Sequence, residues 1–321
     1  MTRILVTGGC GFIGSHLCQA LTSRGDTIVV LDDLSTGKPE NLPKGARLVL
    51  GDINHAASVT EAVREVDAIF HLAAIASVER GVKDWPGTHR TNLSGTIAIL
   101  DAARPRGLPV VYASSAAVYG GCQALPLHEQ LNVSPLSAYG ADKLGCEQHA
   151  RVGGHVHGLR TAGMRFFNVF GPRQDPRSPY SGVISIFCDR LRRGERIAIF
   201  GDGRQTRDFV HVGDVVAALL AALPAASVHG PVFNVCTGLG TSVAALARTI
   251  ADLCEVPLNV DWRPGRAGEV VHSVGDGTRA RQLLALTNPL SLRDGLADTL
   301  AWLQAAQPQE DRQALSPIPA K

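Results

Sequence analysis

Over its first 115 residues the chain keeps switching between two hydrophobic periods. Short, nearly continuous apolar runs, RILVT (3–7), TIVVL (27–31), RLVLG (47–51), DAIFHLA (67–73) and PVVYAS (109–114), are rich in β-branched and aliphatic residues. Helical patterns lie between them at 12–24, 55–65 and 88–104. Short runs of unbroken apolarity suit strands buried on both faces, as in parallel sheets covered by helices. The alternation therefore predicts right-handed βαβ units in an α/β fold, a doubly wound parallel sheet of Rossmann type.

GMRFFNVF (163–170) reads as a further strand, after a helix over 138–151. Beyond Gly171 the pattern changes: Pro and Gly cluster in GPRQDPRSPYSG, then come a helix at 182–193, a short IAIF strand and a GDGRQTRDF loop. Helices follow at 211–223 and 242–254. This half is expected to form a smaller mixed α/β lobe that binds substrate. The expected division is a cofactor domain at 1–167, completed by segments near 209–236, a substrate lobe at 168–208 and 237–305, and a flexible tail at 306–321.

A net charge of +2 with 19% charged residues gives no electrostatic footprint for nucleic acid. No apolar run reaches the roughly 20 residues that cross a bilayer, and MTRILVTGG lacks the pattern of a secretion leader. The seven cysteines show no CxxC spacing, which favours reduced thiols, no metal site and a cytoplasmic protein.

TGGCGFIGSHL places Gly8, Gly11 and Gly14 between the first strand and the first helix. Glycines there allow a tight turn and let a pyrophosphate approach a helix N-terminus, whose free N–H groups favour an anion. Asp32 ends the second strand, 18 residues beyond Gly14. A carboxylate at that point accepts hydrogen bonds from the adenosine ribose and repels a 2′-phosphate, so NAD is preferred over NADP; the competing reading is a solvated turn acid. Asp52 and Ile53, at the end of the third strand, are candidates for the adenine pocket, with a plain turn as the alternative.

SAYGADK places Tyr139 and Lys143 four apart, on one helix face. A free tyrosine has a pKa of about 10 and is a poor base at neutral pH. An ammonium one turn away stabilises the phenolate and can also hold a nicotinamide ribose. Ser115, at the end of the fifth strand, supplies a hydroxyl for the same substrate oxygen. YxxxK alone is usually a surface pair; the order of glycine turn, strand-end serine and YxxxK is much more specific.

At this point the chain resembles an extended short-chain dehydrogenase/reductase, and specifically the UDP-sugar 4-epimerases. The resemblance runs through TGGCGFIG, GDI (51–53), HLAAIASV (71–78), TNLSGT (91–96), SSAAVYG, YGADK, MRFFNVFGPRQDP (164–176), GDGRQTRDFVHV (201–212) and RAGE (266–269). It implies a base (Tyr139) that takes the proton of a sugar 4-hydroxyl while hydride leaves carbon 4 for NAD, which later returns it to the other face of the 4-keto sugar. It also implies cofactor contacts from Phe12, Ile13, Leu72, Ala73, Ala74, Asn92 and Phe166, the last being equally readable as a core aromatic. For substrate it implies Phe167 near the sugar, Asn168, Arg207 and Arg266 at the diphosphate, and Glu269 at the uridine ribose.

Related dehydratases and decarboxylases resemble the same scaffold but carry an acid just after the strand-end hydroxyl. Ala116 and Ala117 stand there instead, which favours epimerisation. Ala117 also replaces a sugar-binding threonine of some epimerases, a loss of roughly 0.5–1.5 kcal/mol. In the epimerase family that the chain resembles, the position four residues after the acid of RAGE gates the sugar pocket; the resemblance puts Ser273 there, where a small residue leaves room for a 2-acetamido group. UDP-GlcNAc and UDP-GalNAc are therefore expected, with UDP-glucose and UDP-galactose also accepted. Glucuronate is disfavoured because Asp175 would face its carboxylate. A homodimer is expected by pairing the Tyr139 helix with the helix at 88–104. The alternatives are a 4-ketoreductase, a glucuronate 4-epimerase or a non-catalytic NAD-binding protein.

Overall fold

The computed structural model describes residues 2–178, 182–265 and 270–305. The chain runs β1 (Arg3–Thr7), α1 (Phe12–Ser23), β2 (Thr27–Asp32), β3 (Arg47–Leu50), α2 (Ala56–Val63) and β4 (Ala68–His71). Two short helices, α3 (Val78–Lys83) and α4 (Trp85–His89), lead through a π turn at Arg90–Ser94 into α5 (Gly95–Ala103). Strand β5 (Val110–Ser115) ends in a 3-10 turn (Ala116–Tyr119), and α6 (Ala138–His157) returns the chain to β6 (Thr161–Phe166). There follow β7 (Asn168–Phe170), α7 (Val183–Leu191), β8 (Ile197–Phe200), β9 (Thr206–His211), α8 (Val212–Ala225) and β10 (Val232–Val235). The described residues end with β11 (Gly240–Ser242), α9 (Val243–Cys254), β12 (Val260–Arg263), β13 (His272–Ser273), α10 (Thr278–Leu283) and α11 (Leu292–Ala305).

Seven strands form the main sheet in the order β10-β6-β5-β4-β1-β2-β3. All six pairings are parallel. Successive residues of a strand serve opposite faces. Ile4, Val6, Ile28 and Val30 join α1 and α8 in one buried cluster. Leu5, Val29 and Leu31 join α2, α5 and α6 in another. That two-sided burial is why the strands read as unbroken apolar runs. The chain runs outward from β1 through β3, then crosses to β4 and runs the other way. Such a switch point opens a crevice at the carboxyl ends of β1 and β4, where open α/β sheets bind ligands.

The second half has its own core, in which Phe170, Phe187, Phe209, Leu246, Ile250 and Leu300 are buried together. It holds two small sheets, one of β11-β9-β13 with β7 also on β9, the other of β12 and β8.

Three sequence expectations change. The run 163–170 is two strands, because the chain leaves the main sheet at Phe167 and β7 pairs with β9 instead. The GDGRQTRDF loop is half strand, since Phe209 and Val210 are buried and β9 is the central strand of the second sheet. The helix expected at 138–151 extends to His157 and ends at Gly158 in the left-handed conformation. The proposed tail lies outside the described residues.

Candidate active site

The turn after β1 is held shut by its own backbone: Gly8 N–H donates to Leu31 O at 2.9 Å and Gly11 N–H to Gly8 O at 3.1 Å. Gly8 takes a positive φ of 70°. A Cβ on Gly14 would stand 2.1 Å from Gly8 O, so only glycine lets α1 begin this close to the turn. No side chain caps α1 at Gly11, which leaves its first N–H groups for an anion. Asp32 is buried at the end of β2. Its carboxylate accepts the N–H groups of Cys10 and Leu34, both at 2.9 Å. Burial raises its pKa, opposed by those two N–H groups. Phe12 and Ile13 open α1 directly above this turn. The cradle fits a dinucleotide, with pyrophosphate on the α1 terminus and ribose hydroxyls at Asp32.

The segment after β4 is fixed by a chain of polar contacts that sequence reasoning did not single out. His71, 3% exposed, lies 2.7 Å from Thr7 Oγ1 through Nδ1 and 3.0 Å from Thr96 Oγ1 through Nε2. Thr96 already donates to Asn92 O at 2.6 Å, so Nε2 carries the ring proton and Nδ1 accepts from Thr7. Thr7 Oγ1 in turn accepts Leu72 N–H and Ala73 N–H, both at 3.2 Å. Burial and the nearby Lys143 push the His71 pKa down to about 3, so the ring is neutral. Asn92, on the π turn, exchanges both hydrogen bonds with the backbone of Ile75, at 2.8 and 3.1 Å. Its side chain holds the Leu72, Ala73 and Ala74 segment rather than pointing free into the crevice. The signal was a polar residue inside an otherwise apolar strand.

Ser115 ends β5, and its Oγ accepts Ala117 N–H at 3.1 Å, capping the 3-10 turn. Helix α6 begins beside that turn, capped by Ser137 Oγ on Gly140 N–H at 3.1 Å. A Cβ on Gly140 would stand 2.6 Å from Ala117 O, so glycine permits the contact that brings the Tyr139 helix onto the Ser115 turn. Lys143 is 2% exposed. Its ammonium donates to Ala113 O at 2.9 Å and lies 5.9 Å from the centre of the Tyr139 ring. A charged amine this deeply buried beside a half-buried phenol is costly as a structural feature and useful as an electrostatic one.

The remaining candidates divide. Asp52 is exposed and closes a local turn on Asn54, while Ile53 is buried against Gly95. Phe166 is part of the main core. Phe167 packs with Val118, Tyr119 and Leu127. Asn168 Nδ2 donates to Asp208 O at 3.2 Å. Ser273 pairs directly with Arg207 across β13 and β9, and Arg207 Nη1 donates to Thr206 O at 2.9 Å. Asp208, fully buried, gathers this region: Oδ1 accepts Thr237 N–H and Oγ–H, at 2.8 and 2.7 Å, and Oδ2 accepts Gly238 N–H and Gly275 N–H, at 2.9 and 3.2 Å. Asp175 is paired with Lys38 at 2.8 Å and accepts Arg177 N–H. Arg266 and Glu269 lie outside the described residues. No group of three or more potential metal ligands occurs among the described residues, and no described helix is long and apolar enough to cross a membrane.

Comparison with known proteins gives the same picture. Residues 4–236 match the model of the NAD dependent epimerase/dehydratase family. A UDP-glucose 4-epimerase of Mycolicibacterium smegmatis is 39% identical over 311 residues, covering 94% of this chain and 98% of that one. The crystal structure of a UDP-glucose 4-epimerase with UDP-glucose from Thermotoga maritima superposes with a TM-score of 0.91 at 35% identity, covering 94% and 99% of the two chains. A UDP-N-acetylglucosamine 4-epimerase from Methanobrevibacter ruminantium, in complex with UDP-N-acetylmuramic acid, gives 0.90 at 32% identity over 95% and 99%. The chain belongs to the NAD-dependent epimerase/dehydratase family, and NAD is its cofactor.

Proposed function

We propose that this enzyme is a 4-epimerase of UDP-hexoses that interconverts UDP-GlcNAc with UDP-GalNAc and UDP-glucose with UDP-galactose. The observation that carries the reaction is the buried Lys143 beside Tyr139, facing a turn that offers Ser115 and then only Ala116 and Ala117. NAD, which the glycine turn before α1 and Asp32 would hold in the crevice, would supply a reversible hydride acceptor for the sugar carbon. Tyr139 takes the proton from the 4-hydroxyl and returns it to the oxygen as hydride comes back to the other face of the 4-keto carbon. Ser115 hydrogen-bonds the same oxygen as its charge changes. Lys143 stabilises the phenolate and, being anchored on Ala113 O, does so from a fixed position. With no acid on the turn, no proton is moved at carbon 5 and no elimination follows.

The sugar preference rests on Ser273. Its small, half-buried side chain sits across the strand from Arg207, and family members resembling this chain act on both plain and acetamido sugars. The second-half lobe is then the substrate lobe, with Asn168, Arg207 and the Arg266–Glu269 segment on the nucleotide. A homodimer through α5 and α6 and a cytoplasmic setting complete the proposal.

The purified protein, with no NAD added, is offered UDP-glucose and UDP-GlcNAc separately, and products are resolved by chromatography. Both are expected to be converted, and Ser273→Tyr is expected to lose UDP-GlcNAc turnover while keeping UDP-glucose. Conversion of UDP-glucose alone by the parent would overturn the pocket argument, and no conversion of either would overturn the reading.

A further inference from the structure

Behind the reacting groups lies a chain of buried polar side chains that the mechanism does not use. Glu147 is 7% and Arg165 5% exposed. Arg165 donates to Glu147 through Nε at 2.8 Å and Nη2 at 2.7 Å, a bidentate pair. Ser114 Oγ donates to the same carboxylate at 2.5 Å. On the other side, Arg165 Nη1 donates to Tyr119 OH at 2.9 Å, and Tyr119 OH donates to Asn234 Oδ1 at 2.8 Å. Asn234 Nδ2 is held by Leu127 O and Asp276 O, at 2.8 and 3.2 Å. Ser114, Arg165 and Asn234 form one row across β5, β6 and β10. Burial alone would lower the Arg165 pKa, but hydrogen bonding and charge from Glu147 outweigh it and hold the guanidinium above its usual value.

The connections of this chain are what matter. Tyr139, Lys143 and Glu147 are spaced i, i+4, i+8 and share one face of α6. Lys143 ties that face to Ala113 and Glu147 ties it to Ser114, two successive residues of β5, immediately before Ser115. Tyr119 closes the 3-10 turn that Ser115 opens, and Arg165 fixes Tyr119. Both ends of the network therefore brace the two elements that carry the reacting hydroxyls. A buried ion pair is a poor source of stability, since apolar residues of similar size commonly serve as well or better. Its presence here calls for another account.

We propose that Glu147, paired with Arg165, is a positioning residue for the reaction: it locks α6 to the end of β5 and so sets Tyr139 and Lys143 against Ser115. This rests on reading those three residues as the reaction centre. Glu147→Gln leaves Arg165 buried with a neutral partner. The double variant Glu147→Leu with Arg165→Met removes both charges at similar volume. Each is purified as holoenzyme, with thermal midpoint, resident NAD, kcat and KM for UDP-glucose measured.

The expected result is a kcat at least tenfold below the parent in both variants with KM within twofold. The midpoint is expected to fall in Glu147→Gln and to recover in the double variant. A double variant with parental midpoint and parental kcat would overturn the proposal, because the pair would then be structural only. If neither variant folds, Tyr119→Phe, which removes one hydroxyl of the chain, is expected to lower kcat severalfold at unchanged KM, and an unchanged kcat overturns the proposal.

A readout that needs no sugar keeps this separate from the epimerase reading. Phenolate absorbance, taken as the difference from a matching Tyr139→Phe protein, is expected to develop at higher pH in the Glu147 variants than in the parent. An unshifted onset contradicts the positioning claim, and an inactive parent contradicts only the epimerase claim.

Discussion

Tyr139→Phe keeps the ring and removes the oxygen proposed to take the proton, so kcat is expected to fall by about 10²- to 10⁴-fold. The resident NAD should be unaffected, which its spectrum after denaturing the protein will show. His71 makes a second, independent residue-scale prediction. Its ring is neutral in the fold, with the pKa pushed from 6.5 down to about 3 by burial and Lys143. The unfolded chain takes up that proton as pH drops through 6.5, while the folded chain resists until about 3. Stability from this group is therefore complete above pH 6.5 and lost between 6.5 and 3, by up to about 5 kcal/mol. Urea midpoints over that range should fall steeply in the parent and less steeply in His71→Asn, whose amide does not titrate. Protonation also removes the acceptor for Thr7, which holds Leu72 and Ala73. The proposed reacting trio rests on YxxxK and a strand-end serine, which are local patterns in the sequence. The histidine and the glutamate behind it were not legible there, because their partners lie on other elements: Thr7 is 64 residues from His71, and Arg165 is 18 residues from Glu147.

The five main-sheet strands up to Ser115 were legible as apolar runs because helices pack on both faces of that sheet. The second half is harder to read for a physical reason. Its strands are short, β13 being two residues and β11 three, and a period-2 pattern needs more than that to register. β9, six residues long, was read as loop for a different reason, since its first residues are the polar TRD. One of those residues, Asp208, organises the lobe by accepting four hydrogen bonds from two separate segments, Thr237–Gly238 and Gly275. Asp208→Asn turns an amide NH2 donor toward N–H groups that need an acceptor. It is expected to raise the KM for UDP-sugar tenfold or more, in line with about 1–3 kcal/mol for a buried unsatisfied group. Bound NAD should not change, because the glycine turn and Asp32 belong to the other sheet; loss of NAD in this variant would show that the two lobes are not separable in this way.

At the level of the whole molecule the two halves meet over the cofactor crevice. The loop after β2 folds onto the glycine turn, with Lys38 N–H donating to Cys10 O at 3.0 Å. Its side chain reaches 137 residues along the chain to Asp175 in the second half. Both partners are partly exposed, 51% and 35%, so the pair is worth less than about 1 kcal/mol. Lys38→Ala is expected to speed NAD loss by up to about fivefold at low salt, with little effect at high salt, and exchanging the two charges in a double variant should restore retention. Equal rates at all salt concentrations would show that the ion pair does not close the crevice. The general architecture was legible in the sequence, but this contact was not, because single surface charges carry no period.

The central claim is that hydride leaves carbon 4 and returns to it within one enzyme. UDP-glucose labelled with deuterium at carbon 4 tests it most directly, by following the label into UDP-galactose by mass spectrometry in ordinary water. The account predicts that the epimer keeps its deuterium at carbon 4 and that no reduced nicotinamide accumulates. Deuterium lost to solvent, or reduced nicotinamide formed in step with product, would contradict it.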